Sequence, residues 1–187
     1  MKIRIDVIKS ILILSLICLI VAGALAVVNH FTSEKIKIDS MARAYGARTK
    51  IIPEADGFTK MDIEDLHVKG IPEAVIEAYQ TTNNKGYVFT MSVKGFGREN
   101  MKLLCGIDMD GNIIVSNKDD LVLSHTETPS YFNRVFTDLY LKRYWGNNKA
   151  VIEEVDTVSG ATISSTALKN AMRYALLAFE LIGEINE

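Results

Sequence analysis

The chain has 187 residues, 48% of them apolar, and a formal net charge of −2. That length suits one ordinary domain with a small added element, and the apolar share is enough to fill its core. A near-neutral balance with scattered lysines and arginines excludes a nucleic-acid surface.

The apolar residues are unevenly spread. From Ile11 to Val28 no residue carries a charge. With Ser10 this run spans about 28 Å as a helix, close to the roughly 30 Å thickness of bilayer hydrocarbon. Lys2, Arg4 and Lys9 precede it and, by the positive-inside tendency, hold the N-terminus in the cytoplasm, so the rest of the chain is expected outside. Ala24-Leu25-Ala26 resembles a signal-peptide cleavage site. The run nevertheless exceeds the usual 7–15 residues or so of a signal h-region, which favours a retained single-pass anchor in membrane lipid. The span contains no Asp, Glu, Lys, Arg or His and so offers no ion path. Cys18 lies within it and Cys105 beyond it, which rules out a bridge between them; Cys105 reads as a small core residue.

Beyond the anchor, Ser33 to about Tyr45 reads as a charged helix that Gly46 stops. Residues 51 to 59 then connect it onward through the breakers Pro53 and Gly57. Pro72 to Thr81 fits a helix by composition, or a short strand over Val75–Tyr79. Lys85–Val93 is rich in aromatic and β-branched residues. Met101–Ile107 and Asn112–Asn117 flank Asp108-Met109-Asp110-Gly111, an Asp-Gly turn. These three segments predict an antiparallel meander, with a further strand from Leu121 to His125. Phe132, Val135, Phe136, Leu139, Tyr140 and Arg143 recur at helical spacing and predict one helix over Tyr131–Tyr144. Extended structure is expected at Asp156-Thr157-Val158. A last helix follows over Ser165–Ile182, with Leu168, Met172, Ala175, Leu176, Phe179 and Ile182 on its apolar face.

The run Ser159-Gly160-Ala161-Thr162-Ile163-Ser164 opens that helix. Gly160 permits a tight backbone path and Ala161 adds almost no bulk. The first turn of a helix leaves N–H groups without intrahelical partners, and its dipole favours negative charge. A phosphate beside Thr162 suits those donors, with the Ser159 and Ser164 hydroxyls in reach. Equally, such residues cap helices with no ligand at all, and the pattern alone leaves both readings open. No Gly-x-Ser-x-Gly elbow marks a catalytic serine. His30, His67 and His125 show no metal-ligand spacing, so no metal site is expected.

Asp156-x-x-Ser159-Gly160-Ala161-Thr162 closely resembles the flavinylation motif of the FMN-binding domain family, as found in chains of the RnfG and NqrC type. Ser124-His125-Thr126-Glu127-Thr128-Pro129 resembles that family's His-x-Glu-Thr-Pro segment, which lies against the flavin. The family usually continues Gly-Leu-Gly, whereas Ser130-Tyr131-Phe132 stands here. The stretch from Gly86 to Ile113 resembles the strand-rich middle of the same family.

This resemblance implies an α+β fold. Residues 1–32 form a cytoplasmic tail and transmembrane helix, 33–60 a connecting helix and linker, and 61–187 a single extracytoplasmic FMN-binding domain with an antiparallel sheet packed by helices. It implies covalent FMN, esterified by an ApbE-type flavin transferase to Thr162, which makes the chain a phosphoprotein, with Ser164 the lesser acceptor. Ser159, Gly160 and Ala161 would shape the site, while His125, Glu127 and Thr128 would touch the flavin or merely form a turn. Tyr87, Phe96, Tyr131 and Phe132 are aromatic candidates for the ring pocket or for core packing. The implied role is a redox subunit without an independent active site. It belongs to an Rnf-type ion-translocating ferredoxin:NAD oxidoreductase in the cell membrane, beside an RnfD-like flavinylated subunit. The brief connections favour RnfG over NqrC. A stand-alone anchored FMN reductase domain and a non-redox binding module remain the alternatives.

Overall fold

The computed structural model describes residues 2–114, 118–146 and 149–186. The chain divides into two compact units, Met1–Arg43 and Ala44–Glu187.

The first unit is helical throughout its described length, as part of α1 (Lys2–Ile51). Within it, Ile11–Ser33 is an apolar stretch with mean hydropathy 3.1 and no buried share. Its 23 residues reach about 34 Å at 1.5 Å each. A helix satisfies its backbone polar groups internally, which a lipid surround requires.

The second unit opens with the last turns of α1. Gly46 does not end the helix, contrary to expectation; α1 continues to Ile51, two residues short of Pro53. One interior glycine costs about 1 kcal/mol, and burial of Ala47, Ile51 and Ile52 against the sheet outweighs it. β1 (Phe58–Lys60) follows inside the segment expected to be only a connection. Next comes α2 (Ile63–Val68), whose N-cap Asp62 accepts from the Glu64 and Asp65 N–H groups. Pro72–Thr81 resolves in favour of a strand, β2 (Val75–Thr81).

The meander is present as β3 (Gly86–Val93), β4 (Met101–Asp108) and β5 (Ile113–Ile114), all antiparallel. Gly111 takes φ +81° in the Asp108–Asn112 turn, and the Asp108 carboxylate accepts from the Asp110 and Asn112 N–H groups. The expected strand over 112–117 is confined to Ile113–Ile114 among the described residues, since 115–117 lie outside them. After α3 (Lys118–Leu121), β6 (Val122–Ser124) pairs with β4. The sheet runs β1-β2-β3-β4-β5, with β6 sharing the β5 side of β4 at the strand's other end.

β3 and β4 are nearly continuous apolar runs because both sheet faces are covered. Phe89, Met91, Leu103, Cys105 and Ile107 pack with the last helix, α7 (Thr162–Asn186), through Leu168, Met172, Ala175 and Leu176. Val88 and Leu104 point the other way, onto Ala47, Ile51 and Ile52. A side chain at Gly106 would run into Ile51, so the helix end sits directly on β4.

The single helix expected over Tyr131–Tyr144 is two: α4 (Pro129–Val135) and α5 (Asp138–Leu141). The break falls at Phe136-Thr137. Thr137 is extended and its hydroxyl accepts from the Tyr140 N–H, so a fresh cap wins over continuation. Leu139, placed inward by periodicity, is 78% exposed as a result. An unexpected α6 (Lys149–Glu154) precedes Asp156–Val158, which pairs with no strand among the described residues. α7 begins three residues before the expected start, at Thr162.

Candidate functional site

The segment leading into α7 is fixed from several directions. The Tyr140 hydroxyl donates to the Asp156 carbonyl at 2.9 Å and lies 3.1 Å from the Tyr144 hydroxyl. Tyr144 is fully buried, and burial pushes its phenol well above the ordinary range. Gly160 turns with φ +72°. The Val158 N–H donates to Ser165 Oγ at 3.1 Å, and Ser165 Oγ lies 2.9 Å from the Ala161 carbonyl. Lys169 Nζ donates to the Glu153 and Val155 carbonyls from α7 itself. A helix side chain and backbone thus staple the turn that precedes Thr162.

Against this turn lies an open cavity of about 240 Å³, lined by Gly160, Ala161, Thr162, Ile163 and Ser164 on one side and by Phe96 and Tyr131 on the other. It is smaller than the roughly 300–1,000 Å³ typical of ligand pockets, so a ligand of nucleotide size fills it and projects beyond. Thr162 is exposed at the first position of α7, while Ser164 is fully buried. Ser164 Oγ donates to Glu127 Oε1 at 2.6 Å, and the Phe96 N–H donates to the same oxygen at 2.9 Å. Glu127 is only 6% exposed, and its Oε2 has no hydrogen-bond partner among the described residues. This carboxylate ties the helix start to the loop after β3.

That loop closes tightly on the Thr126-Glu127 segment. A side chain at Gly95 would collide with the Glu127 carboxylate, and one at Gly97 would sit 2.6 Å from Thr126 Oγ1. The Glu99 N–H donates to Thr126 Oγ1 at 2.9 Å. Positive charge is also at hand: Arg134 Nη1 donates to the Gly160 carbonyl at 3.4 Å. Guanidinium, helix dipole and the first N–H groups of α7 all favour an anion beside Thr162.

The structure brings Gly160, Ala161, Thr162 and Ser164 to the cavity wall, and Glu127 one bond behind it. Ser159 is exposed in the turn before them. His125 and Thr128 are not brought to the wall. His125 stacks on Phe132 at 3.9 Å between ring centroids, and the Thr128 hydroxyl lies 3.2 Å from that of Ser130. Ile163, Arg134 and the pinched Gly95–Gly97 loop were not singled out from sequence. The Gly95-x-Gly97 spacing was a usable signal for the loop; nothing in the sequence pointed to Arg134.

FMN fits these residues: an exposed hydroxyl at a helix start, a cation on the carbonyl two residues before it, and an apolar aromatic wall opposite.

Residues 95–177 match the FMN-binding domain family. Over nearly its whole length the chain is similar to the G subunit of the Na(+)-translocating ferredoxin:NAD(+) oxidoreductase complex of Acetobacterium woodii, at 27% identity across 98% of each chain. The G subunit of the ion-translocating oxidoreductase complex of Methanosarcina acetivorans is 27% identical, covering 91% of this chain and 93% of its own. Its counterpart in Shewanella piezotolerans is 25% identical, covering 93% and 90% respectively. No solved structure matches significantly.

Proposed function

We infer that this chain, a member of the FMN-binding domain family through residues 95–177, is the electron-carrying RnfG-type subunit of an ion-translocating ferredoxin:NAD oxidoreductase complex. It is held in the membrane by its N-terminal helix, with Lys2, Arg4 and Lys9 on the cytoplasmic side and the second unit outside. There it carries FMN as a phosphoester on Thr162, added by an ApbE-type flavin transferase, and exchanges electrons with neighbouring subunits, an RnfD-like one first among them.

One observation supports the acceptor. Of the two motif hydroxyls on the cavity wall within α7, that of Thr162 is exposed, whereas that of Ser164 is buried and engaged with Glu127. A transferase reaches the first and not the second. The single negative charge of a phosphodiester there meets the helix N–H groups and Arg134. Bound FMN supplies the one- and two-electron chemistry. The chain positions it, with Glu127 holding Ser164 and the Phe96 backbone in register. A covalent link also suits a domain outside the cytoplasm, where a lost cofactor cannot be recaptured.

In-gel fluorescence of the denatured chain tests this. Wild type fluoresces and Thr162→Ala is dark, while the peptide spanning Ser159 to Ser165 carries the mass of an FMN phosphoester. A bare peptide from the native host refutes the attachment. Fluorescence that survives Thr162→Ala but not Ser164→Ala moves it to the other hydroxyl.

A further inference from the structure

We propose that Phe96 and Tyr131 form the platform on which the isoalloxazine ring rests, and that the Tyr131 phenol, in direct contact, governs the ring's emission and lowers its potential. This rests on the reading of Thr162 as the FMN site.

Four aromatic side chains compete for such a role, and the structure separates them. Tyr87 is 5% exposed and packs against Phe89 and Phe179, so it belongs to the core. Phe132 is taken up by two ring neighbours, His125 at 3.9 Å and Phe136 at 4.7 Å. Phe96 and Tyr131 alone among the four line the cavity that Thr162 lines. Their centroids are 4.3 Å apart with planes 31° from parallel, so the two rings stack face against face, leave no slot between them, and present the free side of the stack to the cavity as one surface.

That surface is held stiffly yet left uncovered. The Phe96 backbone is fixed by Glu127 and flanked by Gly95 and Gly97, both pinned against the Thr126-Glu127 segment. Tyr131 sits in the first turn of α4, its N–H bonded to the Thr128 carbonyl at 3.1 Å. Even so, Phe96 is 48% exposed, and Ile163 beside Thr162 is 54% exposed. A rigid, solvent-facing apolar wall next to a tether point calls for a flat apolar occupant. A ring system attached at Thr162 is on the spot to cover it.

Stacking has a chemical consequence. The face of a phenol is electron-rich, and contact with it disfavours the reduced, electron-rich form of a flavin, which lowers the potential. The Tyr131 phenol would donate an electron to the excited ring and take it back on recombination. Light emission is lost with no net chemistry.

The test uses the full-length flavinylated chain in detergent, comparing its emission when native with its emission after denaturation. Wild type is strongly suppressed when native. Tyr131→Phe keeps the shape but removes the ready donor, so native emission rises toward the denatured value. Phe96→Leu lowers the ratio of stacked to unstacked ring by about two- to tenfold, the factor a ring–ring contact contributes, read from the ring's visible circular dichroism. Tyr131→Leu raises the midpoint potential. Tyr87→Phe leaves the native-to-denatured ratio unchanged, and far-ultraviolet circular dichroism confirms folding of each variant. An unsuppressed wild type, or an unchanged ratio in Tyr131→Phe, overturns the platform while a bright denatured gel leaves the ester intact. A dark wild-type gel removes the Thr162 reading, and the platform with it.

Discussion

Removing the Glu127 carboxylate probes the link between the loop after β3 and the start of α7. Oε1 accepts from Ser164 Oγ at 2.6 Å and from the Phe96 N–H at 2.9 Å. Hydrogen bonds to a charged group contribute about 1.5–3 kcal/mol each. Against them stands the cost of keeping a carboxylate 6% exposed with Oε2 unpartnered among the described residues, which alanine relieves. The net loss in Glu127→Ala is therefore modest, about 1–3 kcal/mol after that relief. The coupling to Ser164 is the sharper quantity. Once Ser164 is alanine, loss of the carboxylate no longer strands a buried hydroxyl. The double variant is then less destabilised than the sum of its singles by about 1.5–3 kcal/mol. Urea unfolding of the full chain in micelles, followed by far-ultraviolet circular dichroism, measures it; with a slope of about 1–3 kcal/mol per molar, the midpoints differ by roughly 1 M. Additivity within about 0.5 kcal/mol refutes the clamp.

Gly160→Ala forces an L side chain to φ +72° and places its Cβ 2.6 Å from Arg134 Nη1. The arginine tip can move but the backbone cannot, so a loss of about 1–2 kcal/mol is expected in the same unfolding assay; wild-type stability contradicts it. Gly106→Ala drives a methyl into the Ile51 side chain, at a cost of about 1–3 kcal/mol, and Ile51→Ala in the same chain recovers part of it. No recovery refutes the direct seating of the α1 end on β4. Burial pushes the Cys105 thiol far above its ordinary range. Its folded form keeps a proton that the unfolded form releases, so its contribution is complete below the unfolded pKa of about 8.5. Above that, stability falls by up to about 1.4 kcal/mol per pH unit. Cys105→Ala should flatten this alkaline slope up to the phenol range. In a Cys18→Ala background, maleimide should label Cys105 only after unfolding; rapid native labelling refutes its burial.

The elements legible in the sequence were those whose own residues decide them. β3 and β4 carry aromatic and β-branched runs with an Asp-Gly turn beyond them, and α7 repeats Leu168, Met172, Ala175 and Leu176 at helical spacing. The misread elements were decided elsewhere. Gly46 remains helical because Ala47 and Ile51 bury against β4, and over 72–81, where helix and strand were both open, pairing with β3 selects the strand. Thr137 capped a new helix inside an intact 3.6-residue pattern, a signal that was present and outweighed by periodicity. The same division holds at the cavity. The contiguous Gly160–Ser164 run stood out, whereas Glu127 meets Ser164 across 37 residues, a pairing no local pattern encodes. Sequence also placed His125 and Thr128 beside Glu127 as a group; in the fold only Glu127 turns inward.

The contacts that present Thr162 come from distant parts of the chain: Tyr140 on Asp156, Arg134 on Gly160, Glu127 on Ser164. A nascent or extended polypeptide has none of them, so Thr162 is marked there by its local sequence alone. On the proposed attachment at Thr162, loading would accordingly follow folding of the domain. A transferase of the proposed kind, reading this presented edge, would inspect the finished domain as it modifies it.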